Sequence, residues 1–166
     1  MSPAKRLTPT QLKALPNLKR ADYSVTSDQT PFSGTVNRPY NCIAWAAEEN
    51  ARWWWPGNTN CYWPPSIQSI CTLDAFVAAF GTLRYKKCAN GNPEPNMEKV
   101  AIYVDATGLP THMARQLPSG RWTSKLGEWE DIEHRNPLVL EGVGPERYGT
   151  VGQYLRRQIA KQVPPP

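Results

Sequence analysis

The chain has 166 residues, 40% of them hydrophobic and seven of them Trp, which suits one domain with a real core and is short for two. No apolar run approaches the ~20 residues that a membrane-spanning helix needs. The formal charge of +5 is held unevenly: residues 1–20 carry Lys5, Arg6, Lys13, Lys19 and Arg20 with no acid, and from residue 21 onward 14 basic residues meet 14 acidic ones.

In chain order, residues 1–20 read as a flexible basic leader and residues 21–40, rich in Ser, Thr, Pro and Gly, as irregular. A helix is expected from Asn41, a good N-cap, through an Ala-rich stretch to the stop at Pro56-Gly57, with Cys42 in its first turn. A Pro/Gly/Asn loop over 56–68 bears Tyr62 and Trp63. Leu73, Phe76, Val77 and Phe80 recur at helical spacing, which predicts a helix over Thr72–Phe80 with Gly81 behind it. Leu83–Cys88 reads as a strand and 89–97 as a loop. A meander follows over Val100–Asp105, Thr111–Leu117 and Arg121–Leu126, its turns marked by ATGLP and PSG. Val151, Tyr154 and Leu155 suggest a last helix over Val151–Lys161, and residues 164–166 a frayed tail. The expected fold is one α+β domain over 21–163, with the Cys-bearing helix packed on an antiparallel meander.

The neutral body makes nucleic acid an unexpected partner, while the leader suits an acidic one. No secretory apolar core of about 7–15 residues opens the chain, so a cytoplasmic location is expected, specialised secretion leaving no readable trace. Cys42, Cys61, Cys71 and Cys88 form no CxxC, and His112 and His134 are the two histidines. Neither zinc nor a Cys61–Cys71 disulfide is expected from that spacing in a reducing compartment. No dinucleotide or P-loop fingerprint is present, so no cofactor is expected.

Cys42 carries the strongest chemical signal. A thiol in the first turn of a helix feels the positive end of the macrodipole, and unpaired backbone N–H groups there favour thiolate and can hold an oxyanion. His112 sits on the middle strand of the meander and is the expected base; His134, in a segment that reads as a polar loop, is the alternative. A PSG turn pairing Leu117 with Arg121 puts Ser124 diagonal to His112, close enough to accept a hydrogen bond, whereas a one-residue slip presents Thr123 and Lys125. Asp105 and Asp131 stay open as the third member. Trp53, Trp54, Trp55 and Trp63 are dense aromatics, and three consecutive Trp on a helix cannot all enter one core. They are expected to wall a substrate site, Trp53 lying ~16 Å along the helix from Cys42. A non-catalytic binding module built on loop 53–64 is the competing expectation.

The runs NCIAWA (41–46), KVAIYVDATGLPTHMARQLPSGRWTSKLG (99–127) and DIEH (131–134) resemble an uncharacterised bacterial domain family that pairs NCxAWA with THxARQL…WTSKLG. The layout is also similar to papain-like cysteine hydrolases, including NlpC/P60-type peptidases and amidases. That resemblance implies a papain-like fold, Cys42 as nucleophile, His112 as base, and a peptide or protein substrate cleaved at an amide or thioester. The chain lacks papain's CGSCW context and its upstream oxyanion Gln, for which Asn37 or Asn41 would stand in, Asn41 with a competing role as N-cap.

Overall fold

The computed structural model describes residues 6–26, 39–126 and 130–159. Asn37, Lys161 and the tail 164–166, to which sequence expectations were attached, lie outside the described residues. Among the described residues, no helix is long and apolar enough to cross a membrane.

The frame is a seven-stranded, wholly antiparallel sheet. Its strands are β1 (Tyr23–Val25), β2 (Lys86–Cys88), β3 (Met97–Val104), β4 (Pro110–Gln116), β5 (Trp122–Lys125), β6 (Asp131–His134) and β7 (Thr150–Gln158), in the spatial order β1-β6-β5-β4-β3-β7-β2. Among the described residues, three short α-helices accompany them: α1 (Pro9–Lys13), α2 (Cys42–Ala46) and α3 (Leu73–Gly81). The architecture is mixed α and β with few helices. The β3–β4–β5 meander stands where the alternating patterns put it.

Alternation divides the sheet into two buried faces. Val100, Ile102, Met113 and Leu155 meet Ile43 and Ala46 of α2, Phe76 and Phe80 of α3, and Trp54 and Trp63 of the intervening loop. Ala101, Tyr103, Ala114, Trp122 and Ile132 face the other way, onto Leu7, Leu15 and Leu18 and onto Val139 and Leu140 of a 3-10 turn (Pro137–Leu140). The helices form where their caps allow. Thr72 accepts from the Ala75 N–H to start α3, and Thr8 closes a capping box with Gln11 to start α1.

Four differences from the sequence expectation have physical causes. The helix opened by Asn41 ends at Ala46, not Pro56, because Glu48 turns left-handed (φ 62°). The N–H groups of Glu48 and Glu49 return to the carbonyls of Trp45 and Ala44, a Schellman closure with Glu in the position usually held by Gly. The C-terminal segment is strand β7, not a helix, since it pairs along most of β3. The stretches whose composition suggests irregular chain and a polar loop contain β1 and β6, which pair with each other through Tyr23–His134, Ser24–Glu133 and Val25–Ile132. Finally, residues 7–18 are not a loose arm on the body: Leu7, Leu15 and Leu18 are 4%, 2% and 7% exposed in the second core, while Arg6, Lys13, Lys19 and Arg20 stay exposed.

Candidate functional site

Asn41 begins α2 as expected: its Oδ1 accepts from the Ala44 N–H at 3.1 Å. The same oxygen accepts from the Trp54 N–H at 3.1 Å, and Nδ2 donates to the Trp54 carbonyl at 2.8 Å. The Asn41 amide therefore ties the helix start to the Trp loop. Cys42 follows, 8% exposed, its sulfur addressed by the backbone N–H groups of Met113, Ile43 and Cys42 itself. Burial outweighs those amides and the nearby Lys125 charge, and the thiol is pushed up to about 11. At neutral pH Cys42 is a thiol.

Three adjacent strands contribute a polar chain inside the second face. His112 of β4 is fully buried, and its Nε2 lies 3.1 Å from Ser124 Oγ on β5. Ser124 Oγ lies 2.8 Å from Nε2 of His134 on β6, and His134 Nδ1 lies 2.9 Å from the Asn136 carbonyl oxygen. The turn pairs Leu117 with Arg121, and the ladder runs through Gln116–Trp122 and Arg115–Thr123, the register that sets Ser124 diagonal to His112. Beyond Arg115, the His112–Ser124 side-chain bond links the two strands.

Tyr148 stacks flat on the His112 ring, with centroids 4.0 Å apart and planes 8° from parallel. Desolvation holds His112 well below the usual histidine range, with the His134 charge adding to it. Burial brings His134 down to about 4, partly offset by the Asn136 carbonyl. Both rings are neutral near pH 7. Among the described residues, nothing hydrogen-bonds to His112 Nδ1.

Cys42 and His112 are not joined by a hydrogen bond. Cys42 packs with the first core and its sulfur meets the Met113 backbone of β4, while His112 lies against Tyr103 and Tyr148. What they share is the β4 backbone and Tyr148, whose hydroxyl is raised by its burial and by the Cys42 charge.

The other sequence candidates sit elsewhere. Asp105 is bound within its own turn, accepting from Thr107 N–H, Thr107 Oγ1 and Leu109 N–H at 2.9, 2.6 and 3.0 Å. Asp131 accepts from the Tyr40 hydroxyl at 2.7 Å. Trp54 and Trp63 are core residues at 4% and 9% exposure, and Trp55 packs edge-on against Phe76 at 5.7 Å. None of the four Trp lies on α2, and of the four Trp53 is the exposed one, at 36%. The expected aromatic wall is thus largely a buried clamp, with Trp54 Nε1 donating to Glu49. Cys42, Cys61, Cys71 and Cys88 all carry free thiols.

Sequence reasoning placed His134 in a loop and missed its link to Ser124. The alternation in Asp131–His134 is four residues long, too short to signal a strand by itself. A cleft of about 370 Å³ lies between Val104–Thr107 on one side and Val143, Arg147 and Thr150 on the other, and none of Cys42, His112 and Tyr148 lines it.

The family described as Domain of unknown function (DUF7689) matches residues 32–156, a span that holds every residue of the His112–Ser124–His134 chain and Cys42. No curated protein and no solved structure matches the chain.

Proposed function

The chain belongs to the DUF7689 family, and we propose that it is a cysteine hydrolase acting on an amide or thioester, with Cys42 as nucleophile and His112 as base. The observation that carries this reading is His112 Nδ1, a buried ring nitrogen without a partner on an imidazole that is otherwise fixed through Ser124 and stacked on Tyr148. An orphaned buried acceptor is costly by about 1–3 kcal/mol, and such sites are kept where they do chemistry. A peptide or protein is the substrate class, and a papain-like arrangement is the finer form of the proposal.

The resting pair is neutral and unlinked, so the reaction starts from a thiol, not from an ion pair. Proton transfer requires the Cys42 thiol and His112 Nδ1 within hydrogen-bond reach once substrate is seated. His112 Nδ1 takes the thiol proton as the sulfur bonds to the carbonyl carbon, and the carbonyl π pair moves onto oxygen. The backbone N–H groups that face the Cys42 sulfur supply donors for that oxyanion. Collapse expels the leaving amine or thiol, which takes the proton from His112, and water then cleaves the acyl-enzyme by the reverse sequence. Asn41 acts by fixing the helix start, since its amide is engaged with Ala44 and Trp54.

The binding-module reading is less favoured, because Trp54 and Trp63 of loop 53–64 are buried.

Acetylation by p-nitrophenyl acetate tests the proposal. Intact-mass and peptide mapping are expected to place a single acetyl group on Cys42. The acylation rate is expected to be flat between about pH 6 and 9, because His112 is already neutral there. In His112→Asn the rate should climb about tenfold per pH unit toward the thiol's own titration. Acetyl groups on other residues with Cys42 untouched, or a wild-type rate that climbs as the variant's does, would overturn it.

A further inference from the structure

We propose that His134, acting through Ser124, fixes the tautomer of His112, so that Nε2 carries the ring proton and Nδ1 the lone pair. The inference rests on the reading of His112 as the base at Cys42, and it makes His134 and Ser124 positioning residues for that base.

The argument runs along the hydrogen bonds from their fixed end. The Asn136 carbonyl oxygen, 2.9 Å from His134 Nδ1, can only accept, so Nδ1 of His134 carries a proton. With His134 neutral at pH 7, its Nε2 is then a lone pair. Ser124 Oγ at 2.8 Å must give its hydroxyl hydrogen to that nitrogen. Having donated, the oxygen presents its own lone pair to His112 Nε2 at 3.1 Å, which must therefore be the protonated nitrogen of that ring. Nδ1 of His112 is left bare. The reverse polarity would set an unprotonated His134 Nδ1 against a carbonyl oxygen, lone pair to lone pair.

Two further features make the direction firm. His112, Ser124 and His134 are each 0% exposed, so solvent does not supply alternative donors. The chain also spans three strands in register: Trp122 faces His134 and Ser124 faces Ile132, which sets Ser124 and His134 diagonally on one side of the sheet. A serine between two histidines is thus a one-way connector, turning a backbone carbonyl at residue 136 into a tautomer choice at residue 112. If the base accepts a proton, Nε2–H keeps its acceptor and the chain need not reorganise.

The test is ¹⁵N NMR on the full chain with labelled histidine, which separates protonated from bare ring nitrogens in each ring without any substrate. The wild type is expected to show Nε2–H at His112 and Nδ1–H at His134. In His134→Leu the serine loses its acceptor and turns its hydroxyl toward His112, and the His112 signal should move to the Nδ1–H form. His134→Gln, whose carbonyl can accept from Ser124, should restore Nε2–H. Acetylation of Cys42 by p-nitrophenyl acetate is expected to fall about a hundredfold in His134→Leu and to return in His134→Gln. An Nδ1–H form of His112 in the wild type, or an unchanged Nε2–H form in His134→Leu, overturns the proposal. The wild-type spectrum decides it even if that variant fails to fold. A correct wild-type tautomer with no acetyl group on Cys42 overturns the hydrolase reading while leaving the tautomer assignment standing.

Discussion

His134 shows how a single buried ring shapes the molecule's response to acid. Its folded titration point lies at about 4, below the ordinary value of 6.5, because charging it inside the sheet is unfavourable. The unfolded chain therefore binds a proton that the native state refuses between those two values. Stability is fully present above about pH 6.5 and is lost as pH falls toward 4, by roughly 3 kcal/mol from this ring alone. Thermal melts should accordingly drop between pH 7 and pH 4, and His134→Gln should flatten that drop. An equal slope in the variant would assign it to other groups, His112 first. At this scale the sequence was informative about Cys42 as a helix-start thiol and about Ser124 diagonal to His112, because a cap residue and a turn length fix them locally. It was silent on the clamp that Asn41 makes on Trp54, which depends on a loop closing over thirteen positions. It was silent also on the depth at which Cys42 sits.

Two elements misread from the sequence explain themselves through their backbones. In β7 the register slips between Ile102 and Tyr103, whose partners are Gln153 and Val151, so Gly152 is left over as a bulge residue. The extra residue puts Val151 and Tyr154, three apart, against the same core, and that spacing imitates a helix. In α2 the stop falls on a left-handed Glu48, tied to Arg115 and Arg157 at 3.3 and 3.0 Å, where composition gives no warning. The helix α3, by contrast, carries an ordinary cap and stripe and lies where periodicity placed it. Gly149 is the element-scale position least open to change. Its φ is 78°, and a Cβ there would fall 1.8 Å from the Val104 carbonyl oxygen, next to the Tyr148 that holds His112. Gly149→Ala should cost ~3 kcal/mol or more in urea unfolding. Gly81→Ala, at the end of α3 with nothing within 4 Å of the new methyl, should be neutral or stabilising by up to ~1 kcal/mol. Comparable losses in the two variants would remove the steric argument.

As a whole, the molecule is a sheet covered on both sides, and its charge distribution follows from that layering. The segment carrying the excess basic residues also carries Leu7, Leu15 and Leu18, so it presents cations outward because its apolar side is docked. Composition reveals the basic excess of this segment but not its docking. The docking is hidden because prolines interrupt the leucine spacing and the surface that receives the leucines is assembled from strands much later in the chain. The strand order has a consequence in time. From β3 to β6 each strand lies beside its predecessor, whereas β1 and β2, at the two edges, must wait for β6 and β7. Short loops close before long ones, so the central meander should nucleate and the edges should join late. Chevron measurements should then give high φ-values at Ile102 and Met113 and values near zero at Val25 and Lys87. The reverse ranking would mean that the edges guide the fold. On this ordering the His112–Ser124 contact, made inside the meander, is born with the nucleus, and β6, the meander's last strand, brings His134 to it before β1 arrives to close that edge.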